Sequence, residues 1–302
     1  MSLRVGLPQG LLYFQYGTVI ERFLSELGAE VVLSSETSRS TLDCGSALDE
    51  MCLASKIFFG HACSLRDKVD YLFLPRLVSI RPGQYTCPQI IGMPDVLKHN
   101  GGKLPPIIDV HVDMRQKPRQ LYQAVIAVGQ LLGRGVAASL YAWFRAWQCR
   151  ECLRSGKKVL AGRPRLAVIG HPYIIYDRQV SLDVLGKLDR LGLTVVTPEM
   201  VDAGEINRGA AKLGKKLFWS NSYDIAGAAM ALMEAGCPVQ GIIFITCFAC
   251  GPDALVGELI RQQAWRRNIP YMQLSLDEHT AEAGMVTRLE AFADMLKRRP
   301  KA

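Results

Sequence analysis

The sequence predicts an α/β protein of two Rossmann-like, flavodoxin-like parallel-sheet lobes, bridged by a long helix and separated by a cleft. Three observations predict it. Short, wholly apolar runs alternate with amphipathic stretches at helical spacing, the pattern of βαβ units. The alternation occurs twice, before and after a long helical stretch in the middle of the chain. At 302 residues, 49% of them hydrophobic, the chain can bury two cores.

In the first half, Arg4-Val-Gly-Leu-Pro8 reads as a short strand, followed by a helix over Thr18–Leu27 and a strand at Glu30–Leu33. Leu48–Phe59 has helical spacing. Tyr71–Leu74, between Asp70 and Pro75, is a fully apolar buried strand, and Pro106–Val110 is another. A proline near the start of the stretch from Pro118 to about Leu153 suits the entry of a long helix. In the second half, Arg165–Gly170 restarts a strand. A helix near Val180–Leu191, a strand at Leu193–Val196 and a helix near Ile225–Ala235 follow. Then come a strand at Gly241–Thr246, a helix over Asp253–Arg267, a strand at Tyr271–Leu274 and a closing helix near Glu282–Arg298. The expected organisation is an N-terminal lobe over 1–115, a bridging helical segment over 116–162 and a C-terminal lobe over 163–302.

Composition narrows the function. The formal charge of +8 is spread along the chain, in Lys157-Lys158, Lys215-Lys216, Arg266-Arg267 and Lys297-Arg298-Arg299. No cluster is interleaved with aromatics, so no nucleic-acid surface is expected. Solvated helix faces account for the charge, with attraction to an acidic partner or a phosphate-bearing substrate as the alternative. There is no apolar run long enough for a bilayer and no signal-peptide pattern, so a cytoplasmic protein with no membrane partner is expected. Nine cysteines in such a chain read as reduced thiols or metal ligands rather than disulfides.

The most informative segment is Gly241-Ile-Ile-Phe-Ile-Thr-Cys-Phe-Ala-Cys-Gly-Pro-Asp253. A buried-type strand runs into Cys247 and Cys250 and then a helix start. The carboxyl end of a parallel strand opens into the ligand crevice, and a helix N-terminus favours thiolates. The C-x-x-C could be a dithiol redox pair, half a zinc site or cluster ligands. Cys87, followed by Pro88, reads as a helix N-cap, and Cys52 in Asp49-Glu-Met-Cys-Leu-Ala-Ser-Lys56 lies in a first helical turn with Lys56 on the same face. For Cys52 alone, a small core residue is the plainer reading. Cys149 and Cys152 form a second C-x-x-C in an exposed context, while Cys44, Cys63 and Cys237 have no partners at ligand spacing and read as structural. Gly133-Arg-Gly135-Val-Ala-Ala138 has dinucleotide-like glycines, but inside a helical stretch rather than after a strand. His171 and His279 each follow a strand, as crevice residues or as hydrogen-bonded loop residues. Walker A, H-E-x-x-H and G-x-S-x-G patterns are absent.

Taken together, these segments resemble the acyl-CoA dehydratase activase-related proteins, relatives of 2-hydroxyacyl-CoA dehydratase subunits and double-cubane cluster proteins. The resemblance is carried by Gly6-Leu-Pro, Asp49–Lys56, Tyr85-Thr-Cys-Pro88 through Gly92-Met-Pro-Asp95, Gly170-His-Pro-Tyr173 with Tyr176-Asp177, and Phe248–Asp253. Asp277–Gly284 and Thr287–Phe292 are similar to that family's C-terminal signature. It implies an oxygen-sensitive 4Fe–4S-type cluster of an anaerobe, held by cysteines of both lobes, with Cys52, Cys87 and Cys250 at the matching positions. Cys247 departs from the family, which more often has proline there; as a flanking thiol it is taken as a fourth metal ligand, or else as an apolar bystander. Three thiolates would leave one iron open for chemistry, and four would mean electron transfer. Lys56, His171 and Tyr173 are the residues expected to line the cleft as catalytic groups.

The function this implies is low-potential electron transfer or reduction, with electrons from an ATP-dependent activator on a separate chain. One alternative is a dehydratase or reductase acting on a CoA thioester or small molecule at an open iron, with a second dehydratase-like subunit or as a homodimer. Another is a zinc-binding or cluster-free structural or assembly protein.

Overall fold

In the computed structural model, which describes residues 2–115, 119–149, 163–234 and 239–299, the apolar runs are parallel strands and the amphipathic stretches are their crossover helices. The chain divides into two units, Met1–Arg154 with Phe218–Ser220, and Ser155–Leu217 with Asn221–Ala302.

The first unit contains β1 (Arg4–Leu7), α1 (Tyr13–Glu26), β2 (Glu30–Leu33), α2 (Arg39–Gly45), α3 (Leu53–Cys63) and β3 (Tyr71–Phe73). It continues through β4 (Arg76–Ser79), α4 (Pro88–Asn100), β5 (Ile107–Ile108), β6 (His111–Asp113), α5 (Arg119–Leu131) and α6 (Val136–Gln148). Its main sheet has the order β2-β1-β3-β5, all parallel, with Val5 opposite Val31 on one side and Tyr71 on the other. β4 and β6 form a separate parallel pair that the sequence did not announce. One apolar layer packs Phe23, Leu24 and Val128 against β1 and β3; a second gathers Phe59, Leu65, Met93 and Leu97.

The second unit contains β7 (Arg165–Ile169), α7 (Pro172–Ile175), α8 (Val184–Arg190), β8 (Thr194–Val196), α9 (Ala203–Ala211), α10 (Ser220–Glu234), β9 (Gly241–Cys247), α11 (Gly251–Arg266), β10 (Tyr271–Leu276) and α12 (Glu282–Arg298). Its parallel sheet has the order β10-β9-β7-β8. Every residue of β9 is buried, which explains its unbroken apolar sequence: a central parallel strand has helices on both faces. Both sheets share the flavodoxin-like order. Its switch point lies between the first and third strands of a unit, at their carboxyl ends.

The single long helix expected over 118–153 is instead two helices, α5 and α6, bent by 116° at Leu132–Gly135. Gly133 takes φ +72° there and Gly135 is the extended N-cap of α6, so glycine ends one helix and starts the next. The dinucleotide-like glycines are therefore this bend, following a helix rather than a strand. α5 packs on β6 and α6 on α1, both within the first unit. Cys152, Cys237, Pro118 and Lys157-Lys158 lie outside the described residues. No single helix among the described residues is long and apolar enough to cross a membrane.

Candidate metal centre

Cys52, Cys87 and Cys250 occupy the same local position: each is the N-cap of a crossover helix, α3, α4 and α11 respectively. Their backbones are extended, with φ/ψ of −64°/153°, −60°/142° and −84°/95°. Cysteine is not a favoured cap, because its sulfur is a poor acceptor for the free amides of a first turn. Pro88 and Pro252 fix the entry of α4 and α11, where a missing N–H costs nothing. All three thiols are half-buried and none is in a disulfide. A negatively charged group at such a cap is favoured by the helix dipole.

In the first unit, Gln89 ties the two cysteine caps together. Its Oε1 accepts from the Cys52 amide at 3.4 Å and from Ser55 Oγ at 2.7 Å, while Ser55 Oγ lies 3.4 Å from Cys52 Sγ. Gln89 is the second residue of α4, so the first turn of one cysteine helix is bonded to the first turn of the other. α3 itself is almost wholly buried, Lys56 included. It packs on α2 at two glycines: a Cβ on Gly45 would meet Lys56 O at 2.1 Å, and one on Gly60 would meet Thr41 O at 2.1 Å.

The second unit builds its site at the switch point of its sheet. His171 follows β7, and the turn Cys247–Cys250 follows β9, the neighbouring strand. That turn closes through Cys250 N–H to Cys247 O at 3.2 Å, with Ala249 at φ +66°, a left-handed conformation that favours glycine. Beyond it, Asp253 is fully buried in the first turn of α11. Its Oδ1 lies 2.8 Å from His171 Nε2 and its Oδ2 accepts from Thr246 Oγ1 at 3.1 Å. A carboxylate cannot donate, so a ring with one proton carries it on Nε2 and has its lone pair on Nδ1. Nδ1 is buried and has no hydrogen-bond partner among the described residues. One ligand atom each of His171, Cys250 and Asp253 lie within 4.8 Å of one another, close enough to share one ion. Tyr173 stacks on His171, rings 4.8 Å apart and 12° from parallel.

A second polar group stands beside it. Tyr176 Oη lies 2.7 Å from Thr197 Oγ1 and donates to Glu199 Oε2 at 3.1 Å. Burial holds the Glu199 carboxyl above its ordinary range, and the hydrogen bonds of Thr197 and Tyr176 and the nearby His171 oppose that shift.

The expected site residues thus fall into two groups. Cys52, Cys87 and Lys56 lie in the first unit, and Cys250, His171 and Tyr173 converge in the second. Cys247, the last residue of β9, is 3% exposed within the core. His279 is exposed in the loop after β10, its backbone amide bonded to Asp277. Cys149 ends α6. Cys44 and Cys63, read as partnerless, come together between α2 and α3: burial pushes the Cys63 thiol up to about 12, with the Cys44 thiol beside it adding to the shift. Sequence reasoning missed Asp253, Thr246 and Gln89. The Gly-Pro-Asp helix start was visible, but not that its aspartate turns inward.

Two comparisons bear on identity. The chain is 28% identical over 111 residues to an uncharacterised protein of Methanocaldococcus jannaschii, a stretch covering 36% of this chain and 26% of that one. The chain therefore spans well under two thirds of that relative. The profile of a family described as "CoA enzyme activase uncharacterised domain" matches residues 4–201, which include β1 through the turn after β8, and with them Cys52, Cys87 and His171. Since that match covers more than half of the sequence, this chain belongs to the CoA enzyme activase uncharacterised-domain family.

Proposed function

We propose that this chain is an iron–sulfur protein of the CoA-dehydratase system, in which Cys52, Cys87 and Cys250 hold a 4Fe–4S-type cluster. An ATP-dependent activator on a separate chain would be its electron donor, and a dehydratase subunit its partner. The observation that carries this reading is the repetition of one arrangement: three half-buried cysteines, each the extended N-cap of a crossover helix. Family membership supports the system, and the donor chemistry supports the cluster, because thiolates are the ligands iron–sulfur clusters take.

The residues present fit such a group. Free amides at three helix starts would offset its negative charge, and Gln89 and Ser55 would hold the Cys52 backbone in position. When bound, the cluster would supply low-potential one-electron chemistry. Asp253 would fix the ring of His171 and its tautomer, leaving Nδ1 as a proton acceptor beside the cysteine turn. Tyr173 would cover one face of that ring. We read Cys247 as core packing rather than a ligand, given its burial in β9.

One observation favours a second reading. The close grouping of His171, Cys250 and Asp253 within one unit could serve a single ion such as zinc, with no need of Cys52 or Cys87. The deciding measurement is iron, acid-labile sulfide and zinc on anaerobically purified protein, with a visible spectrum before and after dithionite. The cluster reading expects iron and sulfide in matching amounts. They should be lost in Cys52→Ser, Cys87→Ser and Cys250→Ser and retained in Cys247→Ala. Stoichiometric zinc that survives Cys52→Ser and Cys87→Ser but is lost in His171→Ala would establish the mononuclear site instead. Protein that stays colourless and metal-free after reconstitution would refute both.

A further inference from the structure

Protein interiors pack like organic crystals, and voids larger than a water molecule are few. The first unit has a space of another kind, part enclosed by the core and part open to solvent. A cavity of about 340 Å³ opens between α1, α5, α6 and the strands β3, β4 and β6. Phe73, Val125 and Val128 lie deep in it, and all three are buried. No charged side chain lines it among the described residues. The tyrosine and indole groups of Tyr16, Trp143 and Trp147 are its polar features. Trp147 is 38% exposed, so the aromatic wall also reaches solvent. That wall is braced from within: Trp143 stacks on Trp147 at 5.5 Å and meets Phe23 edge-on at 5.5 Å.

We propose that this cavity is a binding site for an uncharged, hydrocarbon-rich small molecule, either an alkyl chain or an aryl ring system, separate from the metal centre and independent of its reading. Three properties point there. The volume exceeds that of a dry engineered cavity of about 150 Å³ that takes up benzene; in proportion it would hold about fourteen heavy atoms. The lining excludes ions, since a charge taken into such walls would have no partner. One phenol and two indoles are the polar side chains of an otherwise hydrocarbon lining among the described residues, which suits a ligand that is mostly hydrocarbon.

The test uses the full chain and the uncharged fluorophore N-phenylnaphthylamine, which brightens in apolar surroundings, with dodecanol and biphenyl as competitors. The expected result is saturable uptake of one fluorophore per chain, displaced by either competitor and not by decanoate. Two variants, Ala124→Phe and Val128→Phe, put a ring into the space. Each should weaken uptake at least tenfold while keeping a cooperative thermal transition, and filling the void favours an unchanged or higher Tm. Should one variant fail to fold, the other decides. The paired variant Tyr141→Ser with Phe144→Ser, exposed positions on α6 outside the cavity lining, should leave uptake unchanged. No saturable uptake by the unaltered protein would overturn the proposal. So would uptake that survives the filling variants or disappears with the surface pair.

Discussion

His61 should make the first unit sensitive to mild acid. It lies on α3, the helix that begins at Cys52, and is 1% exposed, with Nε2 2.9 Å from Thr37 Oγ1. Burial alone lowers its pKa from 6.5 to about 4, because the charged ring would have to leave water. In the unfolded chain the imidazole takes a proton near its ordinary value, while in the folded chain it does not until about pH 4. Between those limits the unfolded state binds the extra proton. Stability is therefore fully present above about pH 6.5 and is lost as the pH falls. The difference amounts to about 2 kcal/mol by pH 5 and about 3 kcal/mol by pH 4, at roughly 1.4 kcal/mol per unit. Urea unfolding followed by tryptophan fluorescence measures it directly. Trp143, Trp147 and Trp219 belong to the first unit, so a Trp265→Phe background confines the signal there. In that background His61→Gln should lose about 2 kcal/mol less than His61 between about pH 7.5 and pH 5. Equal losses in the two proteins, or an NMR titration of the His61 ring centred near its ordinary value, would show that the reasoning fails.

Three further outcomes are expected. Gly60→Ala drives a methyl into Thr41 O, so α2 and α3 must separate; overpacking of this kind costs about 2 kcal/mol, readable as a lower urea midpoint with an unchanged slope. At Ala249, φ +66° suits glycine and strains a branched side chain, so Ala249→Gly should keep or raise the Tm and Ala249→Val should lower it. The Glu199 carboxyl has a raised pKa in the fold, so its folding penalty appears above the ordinary carboxylate value and grows as the pH rises through the raised one. Glu199→Gln removes that penalty and should be more stable than the native protein at neutral pH, with the advantage shrinking in acid.

β1, β7 and β9 were legible because burial leaves a nearly continuous apolar run, and they and the half-buried edge strand β2 lie within a residue or two of where the sequence puts them. The closing helix was read to the residue. What the sequence hid has physical causes. α2, Arg39–Gly45, is mostly polar; a capping box between Ser38 and Thr41 and its close approach to α3, at its own Gly45 and at Gly60 of α3, hold it, not an apolar face. The helix expected from Leu48 begins at Leu53, since Asp49 and Glu50 resemble a first turn yet precede the cap. The break at Gly133–Gly135 was masked by apolar spacing that continues on both sides of it. Asp253 pairs with a histidine 82 residues earlier, a tertiary contact with no local signature.

The clip at Phe218–Ser220 makes the order of synthesis matter. Tyr85 N–H bonds Phe218 O at 3.1 Å, Ser220 N–H bonds Tyr85 O at 2.8 Å, and the rings of Tyr85 and Phe218 stack at 4.8 Å. Tyr85 stands two residues before Cys87, so the segment that presents this thiol is anchored by residues translated more than a hundred codons later. A nascent chain that has emerged only as far as 154 lacks that anchor. The Cys87 loop therefore gains its anchor only after β7 and β8 have been translated, and until then the thiol stands on an untied segment.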